Sequence, residues 1–136
     1  MGEIEVFRRS HKLALAIYKV TEGFPQAEKF GLVAQMRRAA SSIGTNLSEG
    51  SHSLSRKEFR QFVGISKGSV GKLKYHLLLA KDLGYLPESD YFSLKLEVEE
   101  ISMMLNGLVR FLTYAKLTDT ERSYNGIRRD SEKIFR

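Results

Sequence analysis

The side chains in this sequence with the clearest potential for chemistry are basic, and they are concentrated in one segment. Residues 51–83 hold seven Lys or Arg and two Asp or Glu, a net charge of +5, whereas the whole chain carries +6. Such a local excess is typical of a surface that meets phosphates, and it equally suits a surface that meets an acidic face of a neighbouring subunit. The candidate nucleic-acid-binding residues are Arg37, Arg38, Lys57, Arg60, Lys67, Lys72, Lys74 and Lys81.

Residue types that catalysis or metal binding would need are scarce. Cysteine is absent, and the three histidines stand singly, without the spacing of metal ligands. No glycine-rich phosphate loop or dinucleotide-binding motif occurs. One polar row, Arg38, Ser42, Asn46 and Glu49, has the spacing to hold a ligand, although such rows are more often hydrogen-bond networks. We therefore expect a binding protein with no catalytic residues, no metal and no cofactor.

Four helices are predicted to position these residues. Pro25 and Pro87, together with Gly50 and Gly84, divide the chain into four segments in which apolar residues recur every three or four positions. Pro25 is expected to open the second helix. The sequence Ser55-Arg56-Lys57-Glu58 has the form of a capping box and predicts the start of the third. Four long helices with short connections favour an all-α, antiparallel up-down-up-down four-helix bundle.

The apolar repeat also sets the expected domain boundary. The stripe predicted for the third helix is Phe59, Phe62, Ser66, Val70, Leu73, Leu77 and Ala80. Beyond Leu117 the repeat stops, so residues 1–117 are expected to form the bundle and residues 118–136 a flexible C-terminal tail. No run approaches the roughly 20 apolar residues that span a bilayer, and no leader pattern opens the chain. We expect a cytoplasmic protein without a membrane partner.

The third and fourth helices each carry a second face. On the fourth, Phe92, Leu96, Met103, Gly107 and Tyr114 lie almost opposite the core stripe. An exposed apolar patch of this extent usually marks an interface, although a well-covered helix or scattered exposed residues would give the same pattern. We predict that the chain forms a homo-oligomer through these residues.

A row of glycines occupies the outer face of the third helix, and it consists of Gly64, Gly68 and Gly71. Each glycine inside a helix costs about 1 kcal/mol relative to Ala, so a close approach should compensate. We assign the row to the predicted oligomer interface, where Glu97, Glu99 and Glu100 of another subunit would meet the flanking lysines. A phosphate–sugar chain lying against the glycines is the alternative.

Several sequence blocks occur together in this chain. They are QMRRAASSI at 35–43, NLSEG at 46–50, SRKEFRQF at 55–62, GS at 68–69 and LGYL at 83–86. In this combination the chain resembles the bacterial four-helix-bundle family that includes proteins encoded within intervening sequences of large-subunit ribosomal RNA. The resemblance implies an up-down bundle, a homopentamer and a nucleic-acid role. It also implies kinship with the accessory variability protein of diversity-generating retroelements, a basic pentamer that partners a reverse transcriptase.

One block departs from the family pattern. After Gly68-Ser69 the family usually has Glu-Leu-Glu, where this chain has Lys72-Leu73-Lys74. If the family's carboxylates pair with Arg37 or Arg38, that pairing is missing here and the basic surface is stronger. We therefore predict a non-enzymatic, homo-oligomeric protein that binds RNA or DNA, with scaffolding of a reverse transcriptase as the alternative function.

Overall fold

A computed structural model describes residues 2–114, with side chains described from residue 5. Its four long helices are α1 (Gly2–Thr21), α2 (Leu32–Ser51), α3 (Arg56–Asp82) and α4 (Glu88–Tyr114). A short 3-10 helix, Gln26–Glu28, lies between α1 and α2, and no strand occurs within residues 2–114. These elements confirm the all-α prediction with four helices. The predicted tail, 118–136, lies outside the described residues.

Each helix packs against the next one along the chain, and α4 also packs against α1. Two contacts set the register of α3 against α4. Arg60 Nη1 donates a hydrogen bond to Thr113 Oγ1 (3.4 Å), and Lys74 Nζ donates one to Glu99 Oε2 (3.0 Å). Residue numbers therefore rise along α3 as they fall along α4.

One face of each helix supplies the core. The predicted α3 stripe is buried at Phe59, Ser66, Val70, Leu73, Leu77 and Ala80. Phe62 is only half-buried, and Val63 is fully buried in addition to the stripe. The difference arises because α3 packs between α2 and α4, so that its buried arc extends beyond one stripe. Phe62 lies at the α2 edge of that arc, against Gly50.

Two of the helix ends predicted from the sequence have the expected capping residues. Ser55 Oγ accepts a hydrogen bond from the Glu58 backbone N–H (3.1 Å), which caps α3. Gly84, at φ +81°, ends α3 in the left-handed conformation that glycine adopts without strain. The expectation that Pro25 opens the second helix is wrong, because Pro25 precedes the 3-10 helix. The start of α2 is set instead by Glu28, whose Oε1 accepts from the Leu32 N–H (3.2 Å).

Glu28 also joins two distant blocks of the sequence at one end of the molecule. Its second oxygen, Oε2, accepts a hydrogen bond from the Tyr85 hydroxyl (3.2 Å), and the rings of Tyr85 and Phe24 lie 5.6 Å apart. Partial burial and the neighbouring Glu28 carboxylate raise the pKa of Tyr85. The LGYL block at 83–86 thus holds the start of α2, which is a structural role.

Candidate nucleic-acid interface

Six of the eight predicted nucleic-acid-binding residues lie on α3. Lys57, Lys67 and Lys72 are exposed, and none of the described carboxylates lies within 4.0 Å of their ammonium groups. Lys72 also affects His76, one turn further along α3: partial burial and the charge of Lys72 together lower the pKa of His76. His76 is therefore neutral at neutral pH, and the positive charge of this face comes from lysine and arginine.

The other three of the six predicted residues on α3 have partners. Lys74 pairs with Glu99 at 3.0 Å, and Arg60 reaches Thr113. Lys81 Nζ lies 3.6 Å from the Asp82 carboxylate and 4.7 Å from the centre of the Tyr91 ring. The Lys74–Glu99 pair lies within one chain. In the alternative, lysines of α3 would pair with acidic residues of another subunit. Glu99, one of those acidic residues, is already paired within its own chain.

Four of these cations form a straight row along the α4 side of α3, which we call the cation row. Its members are Arg60, Lys67, Lys74 and Lys81, at steps of seven residues. Seven residues are close to two helical turns, so the members point in nearly one direction about 10 Å apart. The register places a second row opposite, the facing α4 row, made of Thr113, Asn106, Glu99 and Phe92. The seven-residue step is visible in the sequence, but the facing partners are not.

A groove runs between these two helices. It has a volume of roughly 450 Å³ and is lined on the α3 side by Lys67, Gly71 and Lys74. Glu99, Ser102 and Met103 line the α4 side. The α3–α4 groove thus brings together residues predicted for nucleic-acid binding and residues predicted for the oligomer interface. Ser102 belonged to neither prediction, because a serine on a helix carries no signal until its neighbour across the groove is known.

The two arginines of α2 are not part of this groove. Arg37 donates from Nε to Thr21 Oγ1 (3.0 Å) and from Nη2 to the Tyr18 carbonyl (3.1 Å), and its guanidinium lies 4.7 Å from the Tyr18 ring centre. Arg37 therefore fastens the end of α1 to α2, on a different side of the molecule from the cation row. Arg38 is exposed. The suggestion that Arg37 pairs with acidic residues at positions 72 and 74 in relatives has no support in this geometry.

The predicted interface residues lie on open surface. The exposed fraction is 53% for Phe92, 69% for Leu96 and Met103, and 82% for Tyr114. Gly107 is half-buried. The glycine row at 64, 68 and 71 is also open, since a Cβ added at any of the three would meet no atom within 4 Å. No described residue covers these faces, so their role in assembly stays a prediction.

The middle of the polar row of α2 is a hydrogen-bond network. Asn46 Nδ2 donates to the Ser42 carbonyl (2.9 Å) and to Ser42 Oγ (3.0 Å), and Ser69 Oγ of α3 donates to Ser42 Oγ (2.9 Å). In the buried part of the same contact between α2 and α3, Ser66 Oγ donates to the Ile43 carbonyl (2.9 Å). These bonds join α2 to α3 and engage the Ser42 and Asn46 side chains, whereas Arg38 and Glu49 are exposed and take no part in them.

Residues 2–107 match a family described as 23S rRNA-intervening sequence protein. The chain belongs to this family. A crystal structure of a protein with unknown function from the S23 ribosomal protein family of Bacteroides thetaiotaomicron has the same fold, with a TM-score of 0.76 at 24% identity, covering 81% of this chain and 99% of that one. A search of curated proteins gave no match.

None of the helices of this intervening-sequence protein within residues 2–114 is long and apolar enough to cross a membrane. The same residues contain no group of three or more His, Cys, Asp or Glu that would hold a metal ion.

Proposed function

We propose that the protein is an antiparallel, up-down-up-down bundle that assembles into a homo-oligomer and binds RNA or DNA through α3, without catalysing a reaction. The observation that carries the proposal is the surplus of exposed charge on α3. This helix holds seven basic and two acidic residues, and Lys57, Lys67 and Lys72 meet no carboxylate among the described residues. Solvated lysines of this kind bind phosphates by releasing the counterions condensed on nucleic acid.

The family supports RNA as the first ligand to test. Its description ties the members to intervening sequences of 23S rRNA. The exposed lysines of α3 are suited to contacting phosphates rather than to reading bases. A lysine carries charge but lacks the paired donors and acceptors that recognise base edges.

Assembly would strengthen a weak contact. Lys57, Lys67 and Lys72 alone supply modest affinity, whereas a ring of subunits repeats the basic face of α3 and converts later contacts into intramolecular ones. The exposed apolar residues of α4 support such an assembly, since large contiguous apolar patches are uncommon on monomers. A homopentamer is the form that the family resemblance implies.

The test is a charge reversal at two unpaired lysines, Lys67→Glu with Lys72→Glu. The matched control is Lys12→Glu with Lys19→Glu, which changes the net charge equally but on α1, where both lysines are exposed. Binding is measured by fluorescence anisotropy with a labelled RNA hairpin and a labelled DNA duplex over a series of salt concentrations. The subunit mass of each variant is checked by light scattering.

We expect the α3 variant to lose binding while its oligomer stays intact, and the α1 variant to retain most of it. The slope of log affinity against log salt is negative, and its magnitude should decrease by about 0.7 to 0.9 for each phosphate that the variant no longer neutralises. Equal loss in both variants would reduce the effect to net charge and overturn the assignment to α3. Absence of binding by the parent protein at low salt would overturn the proposal and favour a protein partner, such as a reverse transcriptase.

A further inference from the structure

Glu99 is the single acidic member of the facing α4 row. From the α4 side the cation row therefore meets one carboxylate, at Lys74, where Nζ and Oε2 are 3.0 Å apart. The other carboxylate beside the row, Asp82, belongs to α3 itself and lies 3.6 Å from Lys81. The positions opposite the other three cations are occupied by an aromatic, an amide and a hydroxyl residue. Glu99 is thus the one carboxylate among the described residues that line the α3–α4 groove.

The carboxylate stays ionised at neutral pH. The hydrogen bond from Lys74 lowers the pKa of Glu99, and the charges of Lys74 and Lys95 lower it further, while partial burial acts in the opposite direction and is outweighed. The Glu99 carboxylate therefore repels any anion that enters the groove at physiological pH.

Phosphate would meet a suitable set of groups in the same groove. Lys67 and Lys74 lie on the α3 side, and Ser102 lies on the α4 side with a hydroxyl that can donate a hydrogen bond. An anion between the two helices gains two ammonium groups, but only after Lys74 has released Glu99. Both side chains of that pair are nearly half exposed, so the pair itself is weak and can be exchanged.

We infer that the α3–α4 groove is a phosphate-binding subsite and that Glu99 is its internal competitor, which holds Lys74 and repels the entering phosphate. This inference rests on the proposed function, because it assigns one phosphodiester of the bound nucleic acid to a definite place. Glu99 thereby limits the affinity of the basic face. Removal of the Glu99 charge should therefore strengthen binding of nucleic acid.

The test compares Glu99→Gln with Glu100→Gln. Both substitutions remove one negative charge from adjacent positions of α4, so they change the net charge of the protein equally. Glu100 pairs with Arg9 of α1 (3.4 Å) and does not line the α3–α4 groove, which makes it a matched control. Binding of a labelled RNA hairpin is measured between about 25 and 300 mM KCl, the range in which counterion release is readily resolved.

Glu99→Gln should raise the affinity about three- to tenfold near 50 mM salt, because Lys74 becomes free to contact phosphate. The slope of log affinity against log salt should steepen by about 0.7 to 0.9 for every subunit that contacts the RNA. Glu100→Gln should change the affinity less than about twofold and leave the slope unaltered, because Glu100 pairs with Arg9 of α1 and holds no lysine of the groove, and an exposed pair of this kind is weak.

The outcomes separate this inference from the proposed function. If the parent protein binds and loses binding with Lys67→Glu and Lys72→Glu, but Glu99→Gln behaves as Glu100→Gln does, the subsite is refuted and the proposed function stands. Weaker binding by Glu99→Gln would show that Glu99 positions Lys74 for the ligand, which also refutes a competitor. No binding by the parent protein at low salt would overturn the proposed function and this inference with it.

Discussion

Gly50→Ala tests whether the close approach of α2 and α3 at Gly50 stabilises the fold. A Cβ at this position would lie 2.8 Å from Phe59 Cδ1 and 2.9 Å from Phe62 Cβ. The ring of Phe59 is fully buried and has little room to turn. The Cβ of Phe62 is fixed to its own backbone, so it can move only if α3 moves.

The magnitude follows from two opposed effects. Overpacking of this kind costs about 1–3 kcal/mol, and contacts under 3.0 Å beside a backbone belong in the upper half of that range. Replacing glycine by alanine in a helix returns up to about 1 kcal/mol. We expect a net loss of roughly 1–2 kcal/mol, which for a domain of this size lowers Tm by roughly 4 to 10 °C.

The assay is urea unfolding followed by circular dichroism, with all proteins at one concentration because assembly makes stability concentration-dependent. The control is Gly23→Ala, at a position with nothing within 4 Å of the new Cβ and no positive φ. We expect it to be neutral or slightly stabilising. A Gly50→Ala protein as stable as the parent would show that the α2–α3 contact adapts, and would refute the argument from close approach.

Three further predictions concern stability and assembly. Arg37→Ala should cost about 1–2 kcal/mol in urea unfolding because it removes two hydrogen bonds to α1, whereas Arg38→Ala, at an exposed position, should change stability by less than about 0.5 kcal/mol. Met103→Glu should reduce the oligomer mass in light scattering while the helical signal persists, because assembly would bury an unpaired charge; an unchanged mass would place the interface elsewhere. Truncation after Leu117 should leave Tm nearly unchanged, since the removed sequence has no apolar repeat, and a large fall would contradict the boundary at 117.

The sequence by itself determined the local features of this protein. The number of helices, the cap at Ser55 and the left-handed end at Gly84 depend on residues within one or two turns, so they can be read from spacing and residue type. The core stripe of α3 was predictable for the same reason, apart from its width. The surplus of charge in residues 51–83 needs only counting.

Tertiary structure alone decided which of these residues meet. Arg37 and Lys74 are both basic and both lie in the part of the chain that matches the family, yet one binds the end of α1 and the other pairs with Glu99, 25 residues away in the chain. Partners across a helix–helix contact depend on register and crossing, which no local pattern encodes. For the same reason Glu28 emerged as the cap of α2 only in the structure, and the α3–α4 groove became visible only once two separate helices lay side by side.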